Sequence, residues 1–224
     1  MHSRIFLVRH GATVLTAEDR FAGATEVELS DEGREQVRRL ADRLGGEKIV
    51  AVYASPMGRT VETARLLAGP HGLEVQTRDG LREISHGHWE QMTRKEVDAA
   101  FPEEAAAWEK DPYTFAPAGG ESGLAVTARA LPVLMDIVRA HLGQDVLIVS
   151  HKATIRLLLS SLIGFDPRRY RDTLDQSPAA LNIVDFKNAV SARLTLFNDT
   201  SHYAAAGLAI PAVPTARLSK AWGK

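Results

Sequence analysis

The sequence predicts an α/β protein: a three-layer αβα sandwich around a mostly parallel sheet, with one antiparallel edge strand and a cap insertion of helices and loops. Three observations carry this. Strand-like apolar runs alternate with helical patterns along most of the 224 residues, the arrangement that places helices over both faces of a parallel sheet. Two runs, Ile5-Phe6-Leu7-Val8 and Val146-Leu147-Ile148-Val149, are continuously apolar, as expected of strands covered on both faces. The last two runs are separated only by Lys187-Asn188-Ala189, short enough for a hairpin and hence an antiparallel edge.

The elements follow in order. Strands are expected over residues 4–8, 48–53, 73–77, 145–149, 180–186 and 191–197. A helix follows Ser30, a good N-cap, with Asp31 and Glu32 at its positive end and Val37, Leu40, Ala41 and Leu44 at helical spacing; Gly45-Gly46 ends it. A second helix follows Ser55-Pro56, where proline suits the first turn, and runs to about Ala68. Between Thr93 and Lys110 two short helices are split by Phe101-Pro102. After Gly119-Gly120 a long helix reaches about Leu142, with Pro132 predicting a kink or an early break. Residues 1–203 are read as one domain with a cap insertion at about 84–122, and residues 204–224 as a loose tail.

Composition narrows the function. Lys plus Arg number 27 against 28 Asp plus Glu, so nothing draws the chain to nucleic acid or to an anionic membrane, and any anion specificity is local. The sequence has no cysteine, which removes disulfides, thiolate nucleophiles and cysteine-type metal sites and fits a cytoplasmic enzyme. No leader-like or spanning-length apolar stretch is recognisable, so neither secretion nor membrane insertion is expected.

Reactive side chains gather where strands end. The first strand runs into Arg9-His10-Gly11, the second into Ser55-Pro56-Met57-Gly58-Arg59, and the best apolar strand into Ser150-His151. The third leads to Arg82-Glu83-Ile84-Ser85-His86-Gly87-His88-Trp89. The carboxyl ends of strands are where open α/β sheets bind ligands. Arg59 would stand in the first turn of a helix whose free N–H groups favour anions. Two strand-terminal histidines would face the same rim.

These ordered segments resemble the four signatures of the histidine phosphatase superfamily, which includes the cofactor-dependent phosphoglycerate mutases and their phosphatase relatives. The resemblance runs from residue 4 to about 200. It implies His10 as the phospho-accepting nucleophile, Arg9, Arg59 and His151 as the phosphate clamp, and Glu83 as the proton donor. It further implies Thr16, Gly23 and His86 as substrate-binding residues, although Thr16 stands where many relatives have asparagine. His86 would approach a substrate carboxylate, as in the metal-independent phosphoserine phosphatases. The mutases usually carry a tyrosine at the position of His86, and an arginine pair that residues 101–111 lack, so a phosphatase is the preferred reading and a mutase the alternative.

The chemistry is consistent with that implication. Phosphoryl transfer needs an unprotonated nucleophile, positive charge around the equatorial oxygens and a proton for the departing oxygen. His10 can attack through one ring nitrogen if the other holds its proton against a backbone acceptor, while arginines disfavour its imidazolium. The expected enzyme is a metal-independent phosphomonoesterase without cofactor, acting on a small phosphorylated metabolite, with phosphate or sulfate able to occupy the site. Homodimerisation is left open. Two competitors remain at this level: a metal-dependent hydrolase using His86-Gly87-His88, and a non-catalytic phosphate-binding module. Trp89, Trp108, Phe115 and Phe21 could line a pocket, but at this density they read better as core.

Overall fold

The computed structural model describes residues 2–16 and 20–204; apart from Ala204, the C-terminal tail lies outside them. The chain forms β1 (Ser3–Arg9), α1 (Asp31–Leu44), β2 (Ile49–Ala54), α2 (Gly58–Ala68) and β3 (Val75–Thr77). The insertion then supplies α3 (Arg94–Ala100) and α4 (Pro102–Lys110), after which α5 (Gly123–Ala140), β4 (Asp145–Ser150) and α6 (Lys152–Ile163) return to the sheet. A short α7 (Tyr170–Thr173), the pair β5 (Leu181–Asn188) and β6 (Ser191–Asp199), and α8 (Ser201–Ala204) complete it. No described helix is long and apolar enough to cross a membrane.

The six strands lie in the order β3-β2-β4-β1-β5-β6. The β1–β4, β2–β4 and β2–β3 pairs are parallel; β1–β5 and β5–β6 are antiparallel, so both reversed pairings sit at one edge. Side chains alternate across the pleat, and each face has its own core. Ile5, Leu7, Val146 and Ile148 pack under α5 and α6, while Phe6, Val8, Leu147 and Val149 pack under α1 and α2. This is the expected three-layer sandwich. Because β1 leaves over one face and β4 over the other, the crevice between their ends is a topological switch point.

The local expectations differ in two places. Pro56 stays outside α2, which starts at Gly58 with Met57 as its N-cap. The hydroxyl of Thr60 donates to the Ser55 and Met57 carbonyls, at 2.9 and 2.7 Å, and holds residues 55–57 as a bend. Pro132 does not interrupt α5. It lies on the exposed side with Ala128, the residue whose carbonyl loses its donor, so water can satisfy that carbonyl and the helix runs on.

The insertion packs around a small separate core that Phe21, from the segment after β1, completes. Phe21, Trp89, Val97, Ala105 and Trp108 are buried together, with Met92, Phe101 and Phe115 packed against them; these aromatics are core residues rather than an open wall. Helix α3 begins with a capping box in which Thr93 and Glu96 satisfy each other's backbone N–H groups. The guanidinium of Arg171, from α7, stacks 4.0 Å from the centre of the Trp108 ring and ties the insertion to the body of the protein.

Candidate active site

Adjacent parallel strands bring the two histidines together. The register pairs Arg9 with Ser150, so the next residues, His10 and His151, stand side by side with ring centroids 5.3 Å apart. Gly11 follows because nothing larger fits: a Cβ there would lie 2.5 Å from the Gly33 carbonyl oxygen. One at Gly33 would lie 2.0 Å from that of Ala12. The first turn of α1 thus rests on the backbone of the His10 loop.

The His10 ring is oriented by its own chain. Its Nδ1 lies 2.8 Å from the Gly11 carbonyl, which only an Nδ1–H can satisfy, so Nε2 carries the free lone pair. Burial, then Arg59 and Arg9, push its pKa well below the usual value against the opposing pull of the Gly11 carbonyl. His151 is fully buried, and its Nε2 is 2.8 Å from the Ser55 hydroxyl. Burial first, then Arg59, His10 and Arg9, hold it neutral as well.

Two buried guanidiniums border these rings. Burial lowers Arg9 to about 10, against the favourable field of Glu83, and its Nη1 donates to the Gln176 carbonyl. Arg59, 1% exposed, donates from Nη1 to the Thr25 carbonyl at 2.8 Å and from Nη2 to the Gly23 carbonyl at 2.9 Å. Arg9 Nε, Arg59 Nε and His151 Nδ1 are all buried without a partner. Three orphaned polar atoms in one corner mark a place where a ligand would complete the hydrogen bonding.

Glu83 closes the corner from the α6 side. Its carboxylate accepts from the N–H groups of Ala153 and Thr154, each at 3.2 Å, and from the Thr154 hydroxyl at 3.1 Å. The protein's own carboxylates thus take N–H groups at both neighbouring helix ends, since the Gly58 N–H at the start of α2 donates to Glu26 at 3.1 Å.

The remaining site residues separate. Gly23 lends Arg59 its carbonyl and, at φ 45°, makes room for Glu90; a Cβ would lie 2.5 Å from Glu90 Oε1. Sequence reasoning missed Glu90, which accepts from Ala24 N–H, the Thr25 hydroxyl, His86 N–H and the Ser85 hydroxyl, and so joins the Arg59 loop to the insertion. Burial opposes its charge, but these donors outweigh it and its pKa falls. His86 is buried 4.6 Å from the Phe21 ring, with Nδ1 unpartnered and its pKa lowered by burial to about 4. Thr16 uses its hydroxyl locally, taking the Thr13 N–H at 3.0 Å. His88 turns away from His86, stacking on Phe101 and bonding Glu104 at 2.9 Å, and no three metal-ligating side chains are grouped among the described residues.

Known proteins share this architecture. A family model described as the histidine phosphatase superfamily, branch 1, matches residues 5–200. Phosphoserine phosphatase 1 of Hydrogenobacter thermophilus is 33% identical over 167 residues, covering 75% of this chain and 79% of that protein. Glucosyl-3-phosphoglycerate phosphatase of Mycolicibacterium vanbaalenii is 36% identical over 168 residues, covering 72% and 74%. A solved mycobacterial glucosyl-3-phosphoglycerate phosphatase in complex with inorganic phosphate superposes with a TM-score of 0.78 at 29% identity, covering 89% of this chain and 98% of its own. A family model that spans nearly the whole sheet, carried by a chain whose strand ends meet in one corner, identifies this protein as a member of the histidine phosphatase superfamily.

Proposed function

We propose that the protein is a phosphomonoesterase that hydrolyses small phosphorylated metabolites through a phosphohistidine on His10. The observation that carries this reading is the His10 ring itself: Nδ1 is anchored on the Gly11 carbonyl, and burial with two neighbouring guanidiniums disfavours its protonation. Nε2 is thereby available to attack phosphorus. The ester P–O bond breaks as the Nε2–P bond forms, and a protonated Glu83 delivers its proton to the departing oxygen. Water then attacks the phosphohistidine while Glu83 recovers a proton from it, releasing inorganic phosphate.

Arg9, Arg59 and His151 supply the positive charge and donors around the equatorial oxygens. They are held in place before substrate arrives, so little reorganisation accompanies the transition state. The proposal needs no metal, and we place the reaction in the cytoplasm in keeping with the absence of cysteine. The named activities of the similar phosphatases support a small phosphorylated substrate, and His86 and the segment 101–111 favour water over a second substrate as acceptor.

The test is turnover of a labelled phosphomonoester quenched in alkaline denaturant. Label should appear on the protein in a form stable to alkali and labile to acid, the behaviour of a phosphoramidate, and turnover should persist in excess chelator. Strict dependence on an added divalent cation would overturn the assignment. So would hydrolysis with no protein-bound phosphate under conditions where chemistry precedes the slow step.

A further inference from the structure

The loop Asp175 to Ala180 holds the catalytic corner from behind without entering it. The Gln176 carbonyl receives the Arg9 guanidinium, the Ala179 N–H donates to the His10 carbonyl at 3.0 Å, and the Arg9 N–H donates to the Ala180 carbonyl at 3.2 Å. Both signature residues therefore take backbone support from this one loop. What fixes the loop is a pair of buried amides.

Gln176 is 1% exposed and Asn182, on β5, 0%. Their side chains exchange two hydrogen bonds: Gln176 Nε2 donates to Asn182 Oδ1 at 2.8 Å, and Asn182 Nδ2 donates to Gln176 Oε1 at 2.9 Å. Asn182 Nδ2 also donates to the Leu7 carbonyl at 3.0 Å, and its Oδ1 also accepts the Asn198 N–H at 2.9 Å. A fixed carbonyl on β1 and a fixed N–H on β6 permit only one orientation of the Asn182 amide, and that orientation dictates the one Gln176 adopts. Asn198 in turn accepts the Ser177 N–H at 2.7 Å.

Such an arrangement is costly to lose. An apolar pair of similar volume would fill the same space without requiring this network, whereas breaking one amide strands its partner in the core. The amides instead register the loop to β1, the strand that carries Arg9. We propose that Gln176 and Asn182 are positioning residues: their reciprocal amide pair sets the carbonyl on which the Arg9 guanidinium rests, and so sets the affinity of the corner for a tetrahedral oxyanion. Neither side chain touches substrate. The inference rests on the phosphate-clamp reading of Arg9, and it adds residues that the four sequence signatures do not contain.

The experiment uses the full chain with Asn182→Leu, Gln176→Met, Arg9→Lys and the double variant Arg9→Lys/Asn182→Leu. Vanadate inhibition of aryl phosphate hydrolysis and thermal unfolding are measured for each. Asn182→Leu and Gln176→Met should each weaken vanadate binding about tenfold, the size of one well-aligned charge-assisted hydrogen bond. In the Arg9→Lys background Asn182→Leu should cause no further loss, because the guanidinium it positions is gone. Losses that multiply in the double variant would assign the amides a purely structural role and overturn the proposal, as would unchanged vanadate affinity in both single variants.

A second readout keeps this separate from the assignment of activity and from failure to fold. The Arg9 Nε–H resonance, identified by its disappearance in Arg9→Lys, reports whether the guanidinium is immobilised without any turnover. It should broaden or exchange faster with solvent in Asn182→Leu and Gln176→Met at temperatures where both remain folded. A wild-type protein that neither binds vanadate nor turns over aryl phosphate would refute the proposed activity, while an unaltered Arg9 resonance in the variants would refute the positioning role.

Discussion

The corner at the ends of β1 and β4 and the insertion that follows Glu83 both bury histidines beside charged groups, but they are built by different means. In the corner, His10 is aimed by a backbone carbonyl and the guanidiniums of Arg9 and Arg59 rest on the carbonyls of Gln176, Gly23 and Thr25. In the insertion, His86 sits in an aromatic cluster of side chains against Phe21 and Trp108. That cluster is tied to the body by Arg171 over Trp108 and by the Glu90 carboxylate. Backbone acceptors are the same whatever the neighbouring sequence, so the corner suits chemistry common to every substrate. Side-chain packing is free to vary, so the insertion suits selection among them.

The largest effects should separate the two regions by their generality. His10→Ala should eliminate protein-bound phosphate in the quench experiment and lower turnover of every phosphomonoester by more than about 10⁴-fold, as loss of a nucleophile does. A variant that kept trapping label would move the nucleophile elsewhere. Glu83→Gln preserves shape but has no proton to give, so alkyl phosphates should slow by on the order of 10²–10⁴ while an activated aryl phosphate is far less affected. Equal losses for both leaving groups would remove Glu83 from the proton-donor role.

The insertion should answer differently. His86→Ala should change the ranking of a panel of phosphoserine, phosphoglycerates and sugar phosphates by roughly tenfold, the worth of one polar contact, and leave a small aryl phosphate within a few-fold. Uniform loss across the panel would instead make His86 a support of the phosphate corner.

The last effect concerns stability rather than turnover. His86 is neutral when folded, at about 4, against an ordinary 6.5 when unfolded, so its contribution is fully present above about pH 6.5 and lost as pH falls toward 4, up to about 3 kcal/mol. His10 and His151 act in the same direction. His86→Phe should therefore flatten part of the acid-side decline in unfolding temperature. An unchanged slope would show that the imidazole is already solvated when folded.

Much of this was legible in the sequence because it is local. The run Ile5 to Val8 ending in Arg9-His10, its counterpart before His151, and the helix after Ser30 each announce themselves within about ten residues, and the sheet then brings the strand ends together. The partners were not legible. Ser55 beside His151, Gln176 behind Arg9 and the amide of Asn182 are ordinary residues whose roles arise from contacts 96, 167 and 175 positions away in the chain. The resemblance implies Thr16 in substrate binding, and what the fold adds is a local contact in which its hydroxyl accepts the Thr13 N–H. Glu90 follows Glu83 by only seven residues, yet nothing in its surroundings distinguishes it from a surface carboxylate until the fold delivers four donors to it.

The contact between Gly11 and Gly33 has a consequence for how this corner tolerates change. With no Cβ on either side, the first turn of α1 and the loop after β1 meet as bare peptide planes. Their spacing is set by van der Waals contact between main-chain atoms, which have no rotamers to sample. Substitutions in the two hydrophobic layers can shift helices by small amounts, but a side chain at either glycine would force these two segments apart. The reach of the His10 nitrogen into the crevice is thus referenced to peptide bonds, and the rest of the molecule is free to diverge around it.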